Sequence, residues 1–405
     1  MKIRLGVIFG GESVEHEVSI ISAIQAMNKI DAEKYEIVPI YITKDRQWYT
    51  GEMLKDIESY SDMSLIKKYA KNVVLYEKNG RFLLQNKNGL HGTVKEIDIA
   101  FPIVHGTNVE DGVLQGYLES VGIPFVGGDV YASAVGQDKL FMKEIFEHED
   151  LPICKYIWFY DVDYNNDNEK YLAAIKKLGY PVIVKPARLG SSVGIKTAHN
   201  EEEVMEVIDD AIRYDNKIIV EKLVENLMEV NISVLGNYEN QNVSAIEQVM
   251  PTKDFLTYED KYIGSSKVKG KLGAKFKSSK GMASASRIVP AKLEKGLKEE
   301  IEDIAVKAFK ALGSSGVVRI DFLVDKKTNK VYINEVNNIP GSLSFYLWEP
   351  IGKEYTELLD DLVNIGIKDY KKRTSKTHSF ETNILKGFTE LGGVKGMKGS
   401  KGKLR

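Results

Sequence analysis

Apolar and polar positions in the first third of the chain predict a parallel α/β region. Residues 3–9 (IRLGVIF) form an apolar run that ends at two glycines, and residues 17–30 carry apolar positions at helical spacing. The strand pattern returns at 36–42 and at 97–104 (IDIAFPIV). A strand, a glycine turn, a helix and a second strand make a βαβ unit, which predicts the start of a doubly wound parallel sheet.

Gly127-Gly128 closes this first region, and a helix that carries Lys139 is predicted at 130–149. Residues 153–221 alternate between strands, helices and a glycine-rich hairpin, and residues 222–375 are strand-rich with an amphipathic helix at 291–311. The chain is therefore expected to combine α/β and α+β regions. The predicted divisions are an N-terminal α/β substrate-binding domain at 1–127, a central subdomain at 128–221, a C-terminal subdomain at 222–375 and a lysine-rich tail at 376–405.

Three segments depart from these patterns. Residues 45–95 are mixed and polar, which predicts an insertion with weak structure of its own. Residues 261–280 are rich in lysine, glycine and serine, as is the tail, and both have too few apolar residues to hold a core. We expect a mobile loop at about 251–285 that closes as a lid over anionic ligands, with a solvated loop as the alternative, and a frayed tail.

Composition excludes several classes of protein. The 56 basic and 58 acidic residues give a formal charge of −2, so no global field favours nucleic acid or a membrane surface. No apolar run approaches the roughly 18 residues that a membrane span needs. The single cysteine, Cys154, rules out an intrachain disulfide and a multi-cysteine metal site. A cytoplasmic protein is the expectation.

The segment 180–194 (YPVIVKPARLGSSVG) carries the first candidate chemistry. Its strand delivers Lys185 and runs into a loop of small residues that includes Ser191 and Ser192. Small residues let backbone N–H groups approach phosphate oxygens, and the lysine supplies the countercharge. The pattern therefore predicts a phosphate loop, with an ordinary glycine hairpin as the alternative.

The second set of candidate chemical groups lies on two predicted strands near residues 319–337. Arg319 and Asp321 should share one face of the first strand, and Glu335 and Asn337 one face of the next. Asp, Glu and Asn supply the hard oxygen ligands that Mg²⁺ prefers, and an arginine beside them can neutralise charge on a transferring phosphoryl group. We predict a metal site here rather than a surface salt bridge.

Three further segments are weaker candidates. Glu221 to Val224, with Glu229 behind them, suit an adenine edge and a ribose hydroxyl, although a domain linker explains them almost as well. The loops 10–19 (GGESVEHEVS) and 105–112 (HGTNVEDG) follow parallel strands, where ligands bind in open α/β sheets. Glu15 in the first loop could pair with a substrate ammonium group.

Together these residues resemble the D-alanine–D-alanine ligase family of the ATP-grasp superfamily, over roughly residues 1–350 and in the family's order. The resemblance rests on six segments: GGESVEHEVS (10–19), HGTNVEDGVLQGYLE (105–119), GQDK (136–139), VKPARLGSSVG (184–194), YEDKY (258–262), and RIDF with NEVNNIPGS (319–322 and 334–342). It implies an ATP-grasp fold preceded by a doubly wound, pre-ATP-grasp domain. It also implies ATP as a substrate, two Mg²⁺ ions with Mn²⁺ as an alternative, small amino acid substrates, no nucleic-acid or membrane partner, and a homodimer.

The resemblance also assigns roles to individual residues. Catalytic roles fall to Glu15, Ser191, Tyr262, Arg319 and Gly341. Substrate contacts fall to Glu15, His105, Lys261 and Ser342. ATP contacts fall to Lys139, Lys185, Ser192, Glu221, Lys222, Val224 and Glu229. Metal contacts fall to Asp321, Glu335 and Asn337.

The implied reaction joins two D-alanines for peptidoglycan precursor synthesis, through an acyl phosphate made from ATP. The family usually has Gly-Gly where this chain has Asn108-Val109. Its Ser-Leu/Met pair for the second substrate's carboxylate is replaced by a segment with Phe345, Tyr346 and Trp348. A D-Ala–D-Ser or other dipeptide ligase is therefore an alternative, as is a non-catalytic ATP-binding module.

Overall fold

The computed structural model describes residues 2–89, 92–250 and 287–379. The chain divides into one unit at Met1–Ile367 and a second at Lys368–Arg405. In the described part of the second unit, residues 368–374 are helical. None of the helices in these described ranges is long and apolar enough to cross a membrane.

A seven-stranded sheet forms the N-terminal region of the first unit. Its strand order is β6-β5-β4-β3-β2-β1-β7. Strand β1 pairs in parallel with β2 and β7, as the βαβ prediction requires, whereas β3 to β6 add antiparallel strands. The elements are β1 (Ile3–Gly10), α1 (His16–Met27), β2 (Tyr35–Ile42), β3 (Trp48–Thr50), α2 (Met63–Tyr69), β4 (Lys71–Lys78), β5 (Arg81–Asn86), β6 (Thr93–Ile97), β7 (Ile99–Pro102) and α3 (Val113–Val121).

Two expectations for this region are wrong. The segment 45–95 does not have weak structure, because it contains β3, α2, β4, β5 and the start of β6, and both β4 and β5 bury apolar side chains in the core. The single strand predicted at 97–104 is divided at Asp98. That carboxylate accepts a hydrogen bond from the backbone N–H of Arg4 at 2.7 Å and pairs with the Arg4 guanidinium at 2.6 Å. The backbone N–H of Asp98 also donates to the Arg4 carbonyl at 2.8 Å, so Asp98 is bonded to β1 through both its backbone and its side chain.

A four-stranded antiparallel sheet, β10-β9-β11-β8, follows in the central region. The helix predicted at 130–149 is two helices, because Asp138 takes an extended conformation and its side chain caps the second helix. The elements are α4 (Val130–Gln137), α5 (Lys139–His148), β8 (Tyr156–Tyr160), α6 (Asp161–Asn166), α7 (Asn168–Leu178), β9 (Val182–Pro186), β10 (Lys196–Ala198), α8 (Glu201–Ala211) and β11 (Lys217–Lys222).

A third sheet, with the order β15-β14-β12-β16-β17 and β13 beside β12, forms the later region. Its hydrophobic core includes Ile301 and Phe309 of α9, which are fully buried with the apolar residues of the sheet. The elements are β12 (Leu227–Gly236), β13 (Gln241–Val243), β14 (Glu247–Val249), β15 (Arg287–Ile288), α9 (Lys295–Ala311), β16 (Gly316–Asp325), β17 (Lys330–Asn337), a 3-10 turn (Gly341–Leu347) and α10 (Tyr355–Thr374).

Candidate active site

The predicted phosphate loop follows β9, which places Lys185 in the interior. The Lys185 ammonium group donates to the amide oxygen of Asn334 at 2.9 Å. After the strand, Ser191 and Ser192 take positive φ angles of 54° and 60°. Gly194 has a φ of 69°, and a Cβ there would lie 2.9 Å from Pro186, so only glycine fits this turn.

Lys139 reaches the same loop from the first turn of α5. Asp138 caps this helix through the N–H groups of Leu140 and Phe141 and accepts a buried hydrogen bond from Lys217 at 2.6 Å. Lys139 donates to the carbonyl of Leu189 at 2.6 Å, and its ammonium nitrogen lies 3.7 Å from a Glu335 oxygen. The lysine therefore joins the phosphate loop to the acidic strands.

The acidic strands β16 and β17 are neighbours, with Asp321 opposite Glu335 and Arg319 opposite Asn337. The register shifts after Asp321, so Phe322 faces Ile333 and β17 contains one extra residue. Strict alternation could not predict this bulge. It turns the consecutive residues Asn334 and Glu335 toward the same cleft.

Arg319 makes two hydrogen bonds with Asp321, at 2.6 and 2.7 Å. Burial alone would lower the pKa of Arg319, but the adjacent Asp321 carboxylate holds it well above its ordinary value. Arg319 is therefore a permanent cation at the centre of the cleft.

The donor set for a divalent cation consists of two carboxylates, Asp321 and Glu335, and the amide oxygen of Asn337. The Asn337 amide nitrogen donates to Asp321 at 3.2 Å. Within the described residues no cluster of three His, Cys, Asp or Glu side chains has metal-binding geometry. The three oxygen-bearing side chains fit Mg²⁺ with phosphate oxygens as the remaining ligands.

Glu221 lies at the other end of the cleft, in a buried triad with two lysines. One oxygen lies 3.2 Å from the Lys143 nitrogen and the other 3.2 Å from the Lys185 nitrogen. Burial raises the pKa of Glu221, but the two lysine charges outweigh it and lower the pKa below the ordinary value. Sequence reasoning missed Lys143, although it lies one helical turn after Lys139.

Lys222 donates to the backbone carbonyl of Tyr180 at 2.8 Å. Lys222, Val224 and Glu229 line the same end of the cleft as Glu221. Backbone and side-chain polar groups with apolar Val224 between them suit the edge and face of a purine ring.

Glu15 lies at the junction of this cleft with a second, smaller cavity and accepts a hydrogen bond from the Ser191 hydroxyl. Glu110, which sequence reasoning did not single out, lines the smaller cavity and accepts from the N–H groups of Gly106 and Ile339, both at 2.8 Å. Burial, with the nearby Glu15 charge, raises the pKa of Glu110 to about 8.

His105 also lines the smaller cavity, but both ring nitrogens have protein partners. Nδ1 donates to the Ile339 carbonyl at 2.8 Å, so the neutral ring accepts at Nε2 from the Ser22 hydroxyl at 2.9 Å. Burial lowers the pKa of His105 to about 4. This geometry suits a neutral residue that holds the 339–342 segment in place, rather than a proton donor.

The structure brings nearly all the described candidates together. Gly341 lines the smaller cavity. Ser342 lines neither cavity, because its hydroxyl donates to Gln25 at 2.6 Å on α1. The predicted loop at 251–285, with Lys261 and Tyr262, lies outside the described residues. The larger cleft, whose space is about 1370 Å³ including its mouth, is lined by Glu15, Lys185, Ser191, Ser192, Glu221, Lys222, Val224, Glu229, Arg319, Asp321, Glu335 and Asn337.

Comparison with known proteins agrees with this site. Family models described as D-ala D-ala ligase N-terminus and D-ala D-ala ligase C-terminus match residues 4–128 and 145–364. The D-alanine–D-alanine ligase of Thermosipho melanesiensis is 39% identical over 95% of this chain and 98% of its own length. That of Clostridium acetobutylicum is 38% identical over 90% and 98%.

Solved structures agree in fold. The D-alanine–D-alanine ligase of Coxiella burnetii has a TM-score of 0.76 at 26% identity and covers 96% of this chain and 99% of its own. The VanG D-Ala:D-Ser ligase of Enterococcus faecalis has a TM-score of 0.73 at 29% identity, covering 90% and 100%. These matches confirm the ATP-grasp fold, and the chain belongs to the D-alanine–D-alanine ligase family of ATP-dependent ligases.

Proposed function

We propose that this chain joins two D-alanine molecules into D-alanyl-D-alanine for peptidoglycan precursor synthesis, converting ATP to ADP and phosphate. The observation that carries the proposal is the meeting of two lysines with the acidic strands: Lys185 lines one cleft with Asp321 and Glu335, and the Lys139 nitrogen lies 3.7 Å from a Glu335 oxygen. The lysines suit triphosphate oxygens and the carboxylates suit the cations that accompany them. Curated relatives with 38–39% identity carry the D-alanine–D-alanine ligase name.

In the first step the carboxylate of one D-alanine attacks the γ-phosphorus of ATP, forming a carboxyl O–P bond and releasing ADP. Lys139, Lys185 and the N–H groups of the phosphate loop hold the phosphates. Asp321, Glu335 and Asn337 would hold Mg²⁺, which neutralises phosphate charge when bound. Glu15 suits the ammonium group of this first substrate, because its carboxylate lies where the two cavities meet.

In the second step the neutral amine of the other D-alanine attacks the acyl carbon. A C–N bond forms, the C–O bond to phosphate breaks, and the amine loses a proton. The Arg319 guanidinium and the N–H of Gly341 are the donors proposed for the oxyanion of the tetrahedral intermediate. Both residues line the smaller cavity with Glu15, which supports placing the reacting carbon there.

The test is phosphate release from ATP by the purified protein with D-alanine, and with L-alanine as the stereochemical control. Mass spectrometry of the product distinguishes D-alanyl-D-alanine from a mixed product when D-serine is also present. Glu335→Gln should reduce turnover by at least about a hundredfold, since a metal-binding carboxylate is lost. Glu299→Gln, on the exposed face of α9, is the matched control. Phosphate release without D-alanine, or full activity of Glu335→Gln, would contradict the proposal.

We also infer a cytoplasmic homodimer from the family resemblance. The domain limits at 127, 221 and 375 and the lid at 251–285 are likewise proposals. Size-exclusion chromatography with light scattering checks the dimer. Limited proteolysis with and without ATP checks the lid, because closure over a bound nucleotide would protect the loop from cleavage.

A further inference from the structure

The aromatic residues that replace the family's Ser-Leu pair do not all face the cleft. The Phe345 ring stacks on Tyr355 with centroids 4.5 Å apart. Trp348 is 1% exposed, and its indole N–H donates to the Ser233 hydroxyl at 3.2 Å. Trp348 therefore fills the interior, and the half-buried Phe345 ring packs against the hydrophobic core. Tyr346 is the member of this segment that joins the polar groups of the cleft.

Tyr346 belongs to a compact cluster with Glu247 and Arg287. Its hydroxyl donates to one Glu247 oxygen at 3.0 Å, and an Arg287 nitrogen lies 3.1 Å from the other. The Arg287 guanidinium carbon is 4.5 Å from the centroid of the Tyr346 ring, within the range of a cation–π contact. Two contacts thus fix the orientation of the guanidinium.

Glu247 of this cluster lies on the same row of the sheet as the proposed metal ligands, and Arg287 lies opposite Val249, two residues further along β14. Glu247 is opposite Asn231, Asn231 is opposite Asp321, and Asp321 is opposite Glu335. Adjacent strands are about 4.8 Å apart, so Glu247 lies roughly 10 Å from Asp321 across the row. The Arg287 guanidinium, which bonds Glu247, therefore lies on the β14 side of the metal ligands, in the cleft that shares Arg319 with the smaller cavity.

Charge also favours an anion beside Arg287. Of the described cations that line the larger cleft, Lys222 bonds a backbone carbonyl, and Lys185 bonds Asn334 and pairs with Glu221. Arg319 is held by two hydrogen bonds to Asp321. Arg287 lines the same cleft, pairs with Glu247 through one guanidinium nitrogen, and has a side chain that is 17% exposed. A guanidinium fork in partly desolvated surroundings binds a carboxylate more strongly and more specifically than an exposed one does.

We propose that Arg287 binds the carboxylate of the second amino acid, and that Tyr346 and Glu247 are positioning residues that hold its guanidinium. This inference rests on the proposed ligase function and names residues that perform the missing task of the Ser-Leu pair. Tyr346 supplies a flat ring under the guanidinium, and Glu247 fixes the rotation of the fork.

The experiment measures initial rates of phosphate release against D-alanine concentration, from which the Michaelis constants of the first and second substrates are separated. Arg287→Gln should raise the Michaelis constant for the second D-alanine about ten- to a hundredfold, the range expected for loss of a charged hydrogen bond. The constants for ATP and the first substrate should stay within about twofold. Tyr346→Phe should raise the Michaelis constant for the second D-alanine by a smaller factor than Arg287→Gln does, with kcat retained. Arg213→Gln replaces an exposed arginine that is ion-paired to Asp210 and serves as the matched control.

A second arm replaces the second D-alanine with D-alaninamide, which lacks the carboxylate. The wild-type protein should strongly prefer the acid, and Arg287→Gln should lose most of that preference. Equal rises in all three constants, or an unchanged acid-to-amide preference in the variant, would overturn the proposal. Should the wild-type protein use another amino acid, the ligase proposal for D-alanine fails on that result alone. The acid–amide comparison with the accepted substrate still tests Arg287.

Discussion

Replacement of Lys143 by methionine tests the buried triad that Lys143 and Lys185 form with Glu221. Exposed fractions of the three side chains are 0%, 5% and 1%. Breaking a buried ion pair by removing one partner costs about 3–5 kcal/mol. Because Lys185 still lies 3.2 Å from Glu221, we expect the lower end, about 3 kcal/mol, in urea denaturation at neutral pH.

The unfolding free energy lost in Lys143→Met should depend on pH, and the pKa of Glu221 sets the direction of that dependence. In the wild-type protein the pKa of Glu221 is lowered, so its ionised form stabilises the fold above the ordinary carboxyl pKa. That contribution disappears as the pH falls through the lowered value. Without the Lys143 charge, the pKa of Glu221 should rise toward or above the ordinary value. The stability gap between wild type and variant should therefore be widest at neutral pH and narrow on acidification.

Lys295→Met is the control, because Lys295 is 88% exposed and its pair with Glu299 spans 3.7 Å. It should change the unfolding free energy by less than about 0.5 kcal/mol. A Lys143→Met loss no larger than that of the control, or a gap that widens on acidification, would refute the assigned charge balance. We also expect Lys143→Met to raise the Michaelis constant for ATP, since Lys185 would be left as the sole partner of Glu221.

Three further changes test other parts of the site. The raised pKa of Glu110, about 8, means that wild-type stability falls as the pH rises from the ordinary carboxyl range toward 8. Glu110→Gln should remove this slope in urea denaturation. Gly194→Ala should weaken ATP binding in calorimetry and destabilise by at least about 1–2 kcal/mol, because the φ of 69° disfavours a side chain and its Cβ would lie 2.8 Å from the Tyr214 ring. Asp138→Ala removes a cap and the partner of a buried lysine. It should cost at least about 1 kcal/mol and raise the Michaelis constant for ATP, since α5 carries Lys139.

Local pattern and composition were enough to predict the parallel strands and the acidic strands. Strand β1 has a continuous apolar run, and its burial in the structure follows that run. The antiparallel strands at 71–97 were missed because their alternation is partial and rich in charged residues. They are stabilised by long-range contacts such as that of Arg4 with Glu96 at 2.8 Å, which no local window contains.

The site residues that were not predicted from the sequence show the same limit of local sequence patterns. Lys143 could have been found, since it lies four residues after Lys139 on a predicted helix and therefore on the same face. Asn334 could not, because a bulge changes which side chains face the cleft. Glu247 became a candidate only when the strand order placed it beside Asn231, and Arg287 only through its contact with Glu247.

The charges of the cleft follow one arrangement: its cations and carboxylates are already paired with one another. Lys139 lies 3.7 Å from Glu335, Lys185 lies 3.2 Å from Glu221, and Arg319 bonds Asp321. Buried charges without partners would destabilise the ligand-free protein by several kcal/mol each, so this pairing keeps the open cleft folded. A nucleotide that arrives with divalent cations offers every member a new partner of the right sign, since phosphates suit the lysines and metal suits the carboxylates. The cleft can then exchange internal pairs for ligand contacts without leaving a buried charge uncompensated. A bare triphosphate would approach Glu335 and Asp321 with charge of the same sign, which is the electrostatic reason to expect nucleotide and metal to bind together.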